Sequence, residues 1–138
     1  MSFTIEDMML TSEKRYEMKF LAGKNGWANS ISWVHLLEDT TIIQNFWGKE
    51  LAVTTGLGFP EKEDWMRLAQ QLSRYHASGL IINVGQYIYD VPEELKAYCD
   101  ENDLPLLTVP WEVHLSDMIK DFSIHVLLQD NTDEQIAS

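Results

Sequence analysis

Residues 51–85 read LAVTTGLGFPEKEDWMRLAQQLSRYHASGLIINVG, and the fold follows from how this stretch alternates. Leu51 to Thr54 is a short apolar run of strand length, and Gly56-Leu57-Gly58 breaks it just before a helical pattern begins at Glu61. Between Glu61 and His76, residues Trp65, Leu68, Ala69, Leu72 and Tyr75 fall on one helical face. Acids occupy its first turn and Arg67 and Arg74 come later, as expected for an amphipathic helix packed on a core. Leu80 to Val84 is a second strand-like run, closed by Gly85. A strand, a helix and another strand in this order make a βαβ unit, and the pattern repeats. A helix is predicted near Pro92 to Glu101, where Pro92 suits the first turn because its missing N–H costs nothing there. Leu95, Tyr98 and Cys99 form its inward stripe. A strand from Leu106 to Val109 and a last helix near Ser116 to Gln129 complete the series.

The residues before Leu51 add an N-terminal helix and a pair of strands. Thr4 to Leu10 has a capping residue at Thr4 or Ser2 and acids Glu6 and Asp7 in its first turn. The apolar runs Met18 to Leu21 and Ile31 to Leu37 flank Gly23-Lys24-Asn25-Gly26, which predicts either a hairpin or a tight loop. Thr40 to Trp47 carries Ile42, Ile43, Phe46 and Trp47 at helical spacings and reads as a short helix or an ordered loop. The expectation is therefore an α/β chain with a mostly parallel sheet built from βα units after an N-terminal helix and strand pair. One domain spans residues 1–129, and residues 130–138 form a polar C-terminal tail or linker.

Composition narrows the function. At 138 residues the chain is long enough to bury a core without covalent staples, and the single Cys99 has no internal partner. Cys99 reads as core packing, since it lies on the inward apolar stripe of its helix. No apolar leader region or run of about 18 apolar residues is present, so a cytoplasmic, reducing setting and no membrane contact are expected. Twenty-two acidic against ten basic residues give a formal charge of -12, which repels a phosphate backbone and argues against direct nucleic-acid binding by this segment.

Catalytic signatures fail one by one. Gly56-Leu57-Gly58-Phe59-Pro60-Glu61 lacks the third glycine of a dinucleotide fingerprint, and Gly23-Lys24 lacks the flanking residues of a phosphate-binding loop. There is no G-x-S-x-G elbow, and His35, His76, His114 and His125 have no metal-ligand spacing. No cofactor is called for. What remains are loops at the carboxyl ends of the predicted strands, where open α/β sheets bind ligands: Thr54-Thr55-Gly56, Gly85-Gln86-Tyr87 and Pro110-Trp111-Glu112. Thr54 and Thr55 offer hydroxyls, and Gly56 allows close backbone approach. The N–H groups of the following helix suit an anion or a polar heterocycle. The same residues would equally serve to end a strand and cap a helix.

Alternation in Trp33-Val34-His35 places Trp33 and His35 on one strand face, with Glu38 close behind in sequence. The candidate ligand-binding set is Trp33, His35, Glu38, Thr54, Thr55, Gly56 and Gly85. Trp27, Trp47 and Trp111 are expected to be core or lid aromatics, or a stacking surface for a flat ligand. In the last helix Met118, Ile119, Phe122 and Val126 make one stripe, while Ile124, Leu127 and Leu128 lie off it. Either the helix packs deep in this domain or it meets a second copy or a following domain.

The order Ala22-Gly23, Gly26, Trp33-Val34-His35, Glu38, Glu50-Leu51 and Thr54-Thr55-Gly56 resembles the N-terminal domain of PucR-type regulators, the purine-catabolism regulator family. Gly79-Leu80, Gly85, Val91-Pro92, Leu104-Pro105-Leu106 and Val109-Pro110 extend the likeness over roughly Thr4 to Val126. The chain departs from that pattern at Leu36 to Thr40 and at Gly48-Lys49, which bears on ligand identity more than on fold. The resemblance implies a non-catalytic domain of a cytoplasmic transcriptional regulator, sensing a purine-related or other nitrogen-containing metabolite. It also implies further domains ending in a helix-turn-helix, which 138 residues do not accommodate, so the chain looks like an excised sensor domain or a stand-alone fragment. It favours the C-terminal helix as a homodimer contact or a junction to the next domain. A pure interaction module without a ligand is the alternative. An enzyme built around His35 and Glu38 is the least favoured reading, because no second acid or activated nucleophile can be named.

Overall fold

Three strands buried on both faces form the centre of the molecule. The computed structural model describes residues 2–137, with side chains described for residues 2–129. β3 (Glu50–Thr54), β4 (Gly79–Val84) and β5 (Leu106–Pro110) run parallel in register, and β2 (Trp33–Leu36) extends the sheet in parallel at one edge. β1 (Lys19–Ala22) closes the other edge antiparallel to β5, giving the order β1-β5-β4-β3-β2. Because side chains alternate across a strand, adjacent apolar residues serve two different cores. Leu51, Val53, Ile81, Leu107 and Val109 face one, and Ala52, Leu80, Ile82 and Leu106 face the other. Burying each of the larger of these side chains contributes about 1.5–3 kcal/mol.

Helices α2 (Lys62–Arg74) and α3 (Glu93–Glu101) cover the second face. The predicted stripe of α2 is inward: Trp65, Leu68, Ala69 and Leu72 are buried, and Tyr75 packs beside them. Helices α1 (Ile5–Ser12) and α4 (Leu115–Ala137) cover the first face, where Ile5, Met8 and Met9 meet Met118, Phe122 and Val126. Thr4 caps α1 as expected, in a reciprocal box with Asp7. Pro92 is the residue before α3 rather than within its first turn. The backbone of α4 stays helical to Ala137, past the expected end at Gln129; the side chains of the expected tail, 130–138, lie outside the described residues.

The predicted strand pair exists, but not as a hairpin. β1 and β2 stand at opposite edges of the sheet, so of the two readings only the tight loop is found, as a 3-10 turn at Lys24–Gly26. Gly23 sits at φ 78° with its N–H donating to Asp100 Oδ1 at 2.7 Å, and a Cβ there would lie 2.0 Å from the Leu104 carbonyl oxygen. The turn is thus docked on the end of α3 and on the Leu104-Pro105 segment that leads into β5, which holds β1 beside β5. Residues 27–31 then lead from the β1 edge to the β2 edge, hydrogen-bonded to the start of α1 through Ile5 N to Asn29 O and Ile31 N to Phe3 O. Thr41–Asn45 is a single 3-10 helix, the short-helix alternative.

Cys99 is fully buried, and burial pushes its thiol up to about 12, with Asp100 adding to the effect. Burial likewise raises Tyr16 to about 12, helped by its hydrogen bond to Asp121 at 2.8 Å. Both groups hold their protons more tightly folded than unfolded. Their contribution is therefore complete below the unfolded values of 9.0 for the thiol and 10.0 for the phenol, and is lost as pH climbs through the folded values. Denaturant unfolding at increasing pH should show stability falling between about pH 9 and 12, and Cys99→Ala should flatten the lower part of that fall. A stability that stays level across this window would contradict the burial of both groups.

Candidate functional site

At the carboxyl end of β3 the chain makes its densest polar cluster. The Glu38 carboxylate accepts hydrogen bonds from both the Thr54 and the Thr55 hydroxyls and from the Thr55 N–H at 3.1 Å. Each hydroxyl oxygen in turn accepts a backbone N–H two residues on, Gly56 N to Thr54 at 3.1 Å and Leu57 N to Thr55 at 3.3 Å. The threonines thus turn the chain out of the strand, as their side chains do in such turns, while gripping a carboxylate from the neighbouring connection. Thr54 is fully buried, and Glu38 and Thr55 are half-buried. The loop closes over this cluster so tightly that a Cβ on Gly58 would overlap the Glu38 carbonyl oxygen.

Gly56 has φ 90°, and Gly85, at the end of the adjacent strand, has φ 119°. Both allow close packing: a Cβ on Gly56 would meet Ile88 and Trp65 at 3.2 Å, and one on Gly85 would meet Trp111 at 3.1 Å. The loops after β4 and β5 are tied together by Asn83 Nδ2 donating to the Pro110 carbonyl at 2.9 Å and by the edge-on Tyr87 and Trp111 rings, 5.8 Å apart. The structure therefore brings together Glu38, Thr54, Thr55 and Gly56, with Gly85 on the next strand. It does not bring Trp33 to them: Trp33 pairs with Glu50 at the opposite end of the strand. His35 lies between, on the α2 and α3 face, with its ring stacked on Phe46 at 5.0 Å. As expected, Val34 faces the other core.

Of the three tryptophans expected as core or lid, Trp27 is partly buried against the core beside Phe20, and Trp111 is 38 % exposed. Trp47 is 99 % exposed, contrary to that expectation, while its N–H and that of Gly48 donate to the buried Glu50 carboxylate.

Sequence reasoning missed the groove beside the cluster. A cavity of about 230 Å³ runs from Asp39 and Gly58 along the exposed side of α2, where Asp64, Arg67, Gln70 and Gln71 line it. Asp39 is held by Thr41, whose hydroxyl and N–H keep its carboxyl below the usual range, and Arg67 pairs with Asp64. The Asp39-x-Thr41 spacing of this turn was readable, but the glutamines appeared only as the polar face of a helix. The lining offers donors and acceptors of both signs, which suits a polar heterocycle better than a simple ion. Among the described residues no cluster of His, Cys, Asp and Glu could hold a metal, and no helix is long and apolar enough to cross a membrane.

Comparison with known proteins bears on this geometry. The pattern of the purine catabolism regulatory protein-like family (PucR) matches residues 8–126. The purine catabolism regulatory protein of Bacillus subtilis (strain 168) is 25% identical over 108 residues, which cover 78% of this chain and 20% of that protein. The chain thus spans about a fifth of the length of the curated relative it matches.

The Glu38 cluster is testable by stability alone. Glu38→Ala leaves the buried Thr54 hydroxyl without its acceptor and should cost about 1–3 kcal/mol in urea unfolding. Glu38→Gln keeps one acceptor oxygen and should cost less. Equal stability of wild type and Glu38→Ala would mean that the carboxylate does not anchor the loop.

Proposed function

This chain belongs to the purine catabolism regulatory protein-like family, and from that membership we propose that it is a non-catalytic, ligand-sensing domain. It serves a cytoplasmic regulator of the catabolism of purines or related nitrogen compounds, and it passes its signal to DNA-binding domains outside this chain. The observation that carries this reading is the Glu38–Thr54–Thr55 cluster, set at the strand ends beside a polar groove. In the absence of ligand the two threonines satisfy the carboxylate. A nitrogen heterocycle in the groove, presenting N–H donors, competes for the same oxygens and draws Glu38 toward itself. Thr54, Thr55 and Gly56 then line the space that is vacated, with Gly85 at its far wall.

The consequence is a shift of population rather than a chemical step. Glu38 follows directly on β2, Leu37 N is bonded to Val53 O at 2.9 Å, and Val34 of β2 packs in the same core as Met118, Phe122 and Val126 of α4. A loop that moves with Glu38 therefore biases β2 and, through it, the C-terminal helix α4. Trp33 and His35, both on β2, belong to this transmission rather than to the ligand contacts.

A second reading has its own support. Ile124 and Leu127 of α4 are 45 % and 50 % exposed, so the helix carries an apolar face that a homodimer or a following domain would cover. In that case the domain is an interaction module and binds no metabolite.

A thermal-shift screen against purines and their breakdown products separates the two, since a ligand at about 100 times its Kd adds about 2.7 kcal/mol of stability. The sensor reading expects a shift with one ligand class and its loss in Thr55→Val, which removes one of the hydroxyls shared with Glu38. A cooperative melt that no compound moves, together with a concentration-dependent dimer, would instead establish the interaction module.

A further inference from the structure

A second cavity, of about 260 Å³, opens at the opposite end of the sheet, where β3 and β4 begin. Lys49, Ser73, His76, Ser78, Asn102 and Asp103 line it. Three of these residues hold left-handed backbone angles: Lys49 at φ 70°, His76 at 59° and Asp103 at 55°. His76 and Asp103 end α2 and α3 in the same way. Ala77 N returns to Leu72 O at 2.9 Å and Leu104 N to Cys99 O at 3.0 Å, the motif whose left-handed position is ordinarily glycine. Glycine would hold all three positions without strain, yet the chain places an imidazole, a carboxylate and an ammonium there, and all three border one space.

The hydroxyls add an independent observation. Among the described residues, Ser73 Oγ and Ser78 Oγ are the buried side-chain polar atoms without a hydrogen-bond partner, and both serines line this cavity. Ser78 is 2 % exposed. A buried hydroxyl left unpaired is costly, and turning its oxygen outward to a guest in the adjoining space is one way of satisfying it. Lys49, His76 and Asp103 enter no ion pair among the described residues, so their charges and donors are free for such a guest. The volume exceeds the roughly 30 Å³ share of one water several-fold, which is room for a molecule of several heavy atoms.

We propose that this cavity binds a small zwitterion of amino-acid size, its carboxylate held by Lys49 and the His76 ring N–H, its ammonium by Asp103, and its remaining polar atoms by the Ser73 and Ser78 hydroxyls once they turn toward it. Opposite charges bordering one cavity select a ligand carrying both, in preference to an anion or a cation alone. The site is independent of the strand-end groove and stands or falls without it.

Replacing each strained residue by glycine makes a clean test, because relief of the backbone predicts a folded variant. The 138-residue chain would be titrated with glycine, β-alanine, L-serine and L-glutamine, with acetate and methylammonium as single-charge probes, while backbone amide shifts are followed by NMR. The expected result is saturable shifts at residues 48–50, 76–78 and 102–104 with at least one zwitterion. Binding should be at least about tenfold weaker in Lys49→Gly and Asp103→Gly, the worth of one charge-assisted bond. Melting temperatures of these variants and of His76→Gly should stay level or rise. The proposal is overturned if no zwitterion saturates, if acetate binds as tightly as the zwitterions, or if the glycine variants melt lower, which would assign these side chains to the fold.

Discussion

Burial of the parallel strands β3, β4 and β5 on both faces is the constraint from which the rest of the structure follows. A strand in such a position needs apolar side chains at nearly every residue, and the backbone between them must be paired in full. Ile81 and Ile82 are neighbours in sequence, yet they belong to cores on opposite sides of the sheet. Two covering layers are therefore obligatory. The crossovers α2 and α3 provide one, and the chain ends, α1 and α4, provide the other.

That arrangement leaves the strand ends as the places where polar groups gather. At the carboxyl end, the turn out of β3 exposes backbone N–H groups and hydroxyls that would need water or a ligand, and Glu38 supplies their partner from within the chain. A contact of this kind is strong because it is charge-assisted and partly buried. It lies just after β2, the strand whose Val34 shares a core with Met118, Phe122 and Val126 of α4.

At the other end the same topology has a different outcome. Helices α2 and α3 must both stop and reverse into strands, and two left-handed residues do this beside one cavity that Lys49 also borders. Sequence conventions would place glycine at such turns, and the use of His76 and Asp103 in its place makes this end chemically populated. The two ends of the sheet thus carry polar groups of different character, one cluster satisfied internally and one with buried hydroxyls left unpaired.

Periodicity alone determined the helices, the central strands and the inward stripe of α2, because these follow from local spacing of apolar residues that tertiary contacts only reinforce. It also located Thr54, Thr55 and Gly56 at a strand end and Glu38 nearby. What it left open was pairing. Nothing local distinguishes a hairpin at Gly23 from a turn that sends its strands to opposite edges, since the choice rests on Gly23 docking against Leu104, 81 residues later in sequence. The same holds for the sites. That the Glu38 carboxylate is held by two threonine hydroxyls, that Trp33 points to the far end of the sheet, and that Lys49, His76 and Asp103 share one cavity are consequences of register and strand order. Long-range packing sets these, and no spacing along the chain encodes them.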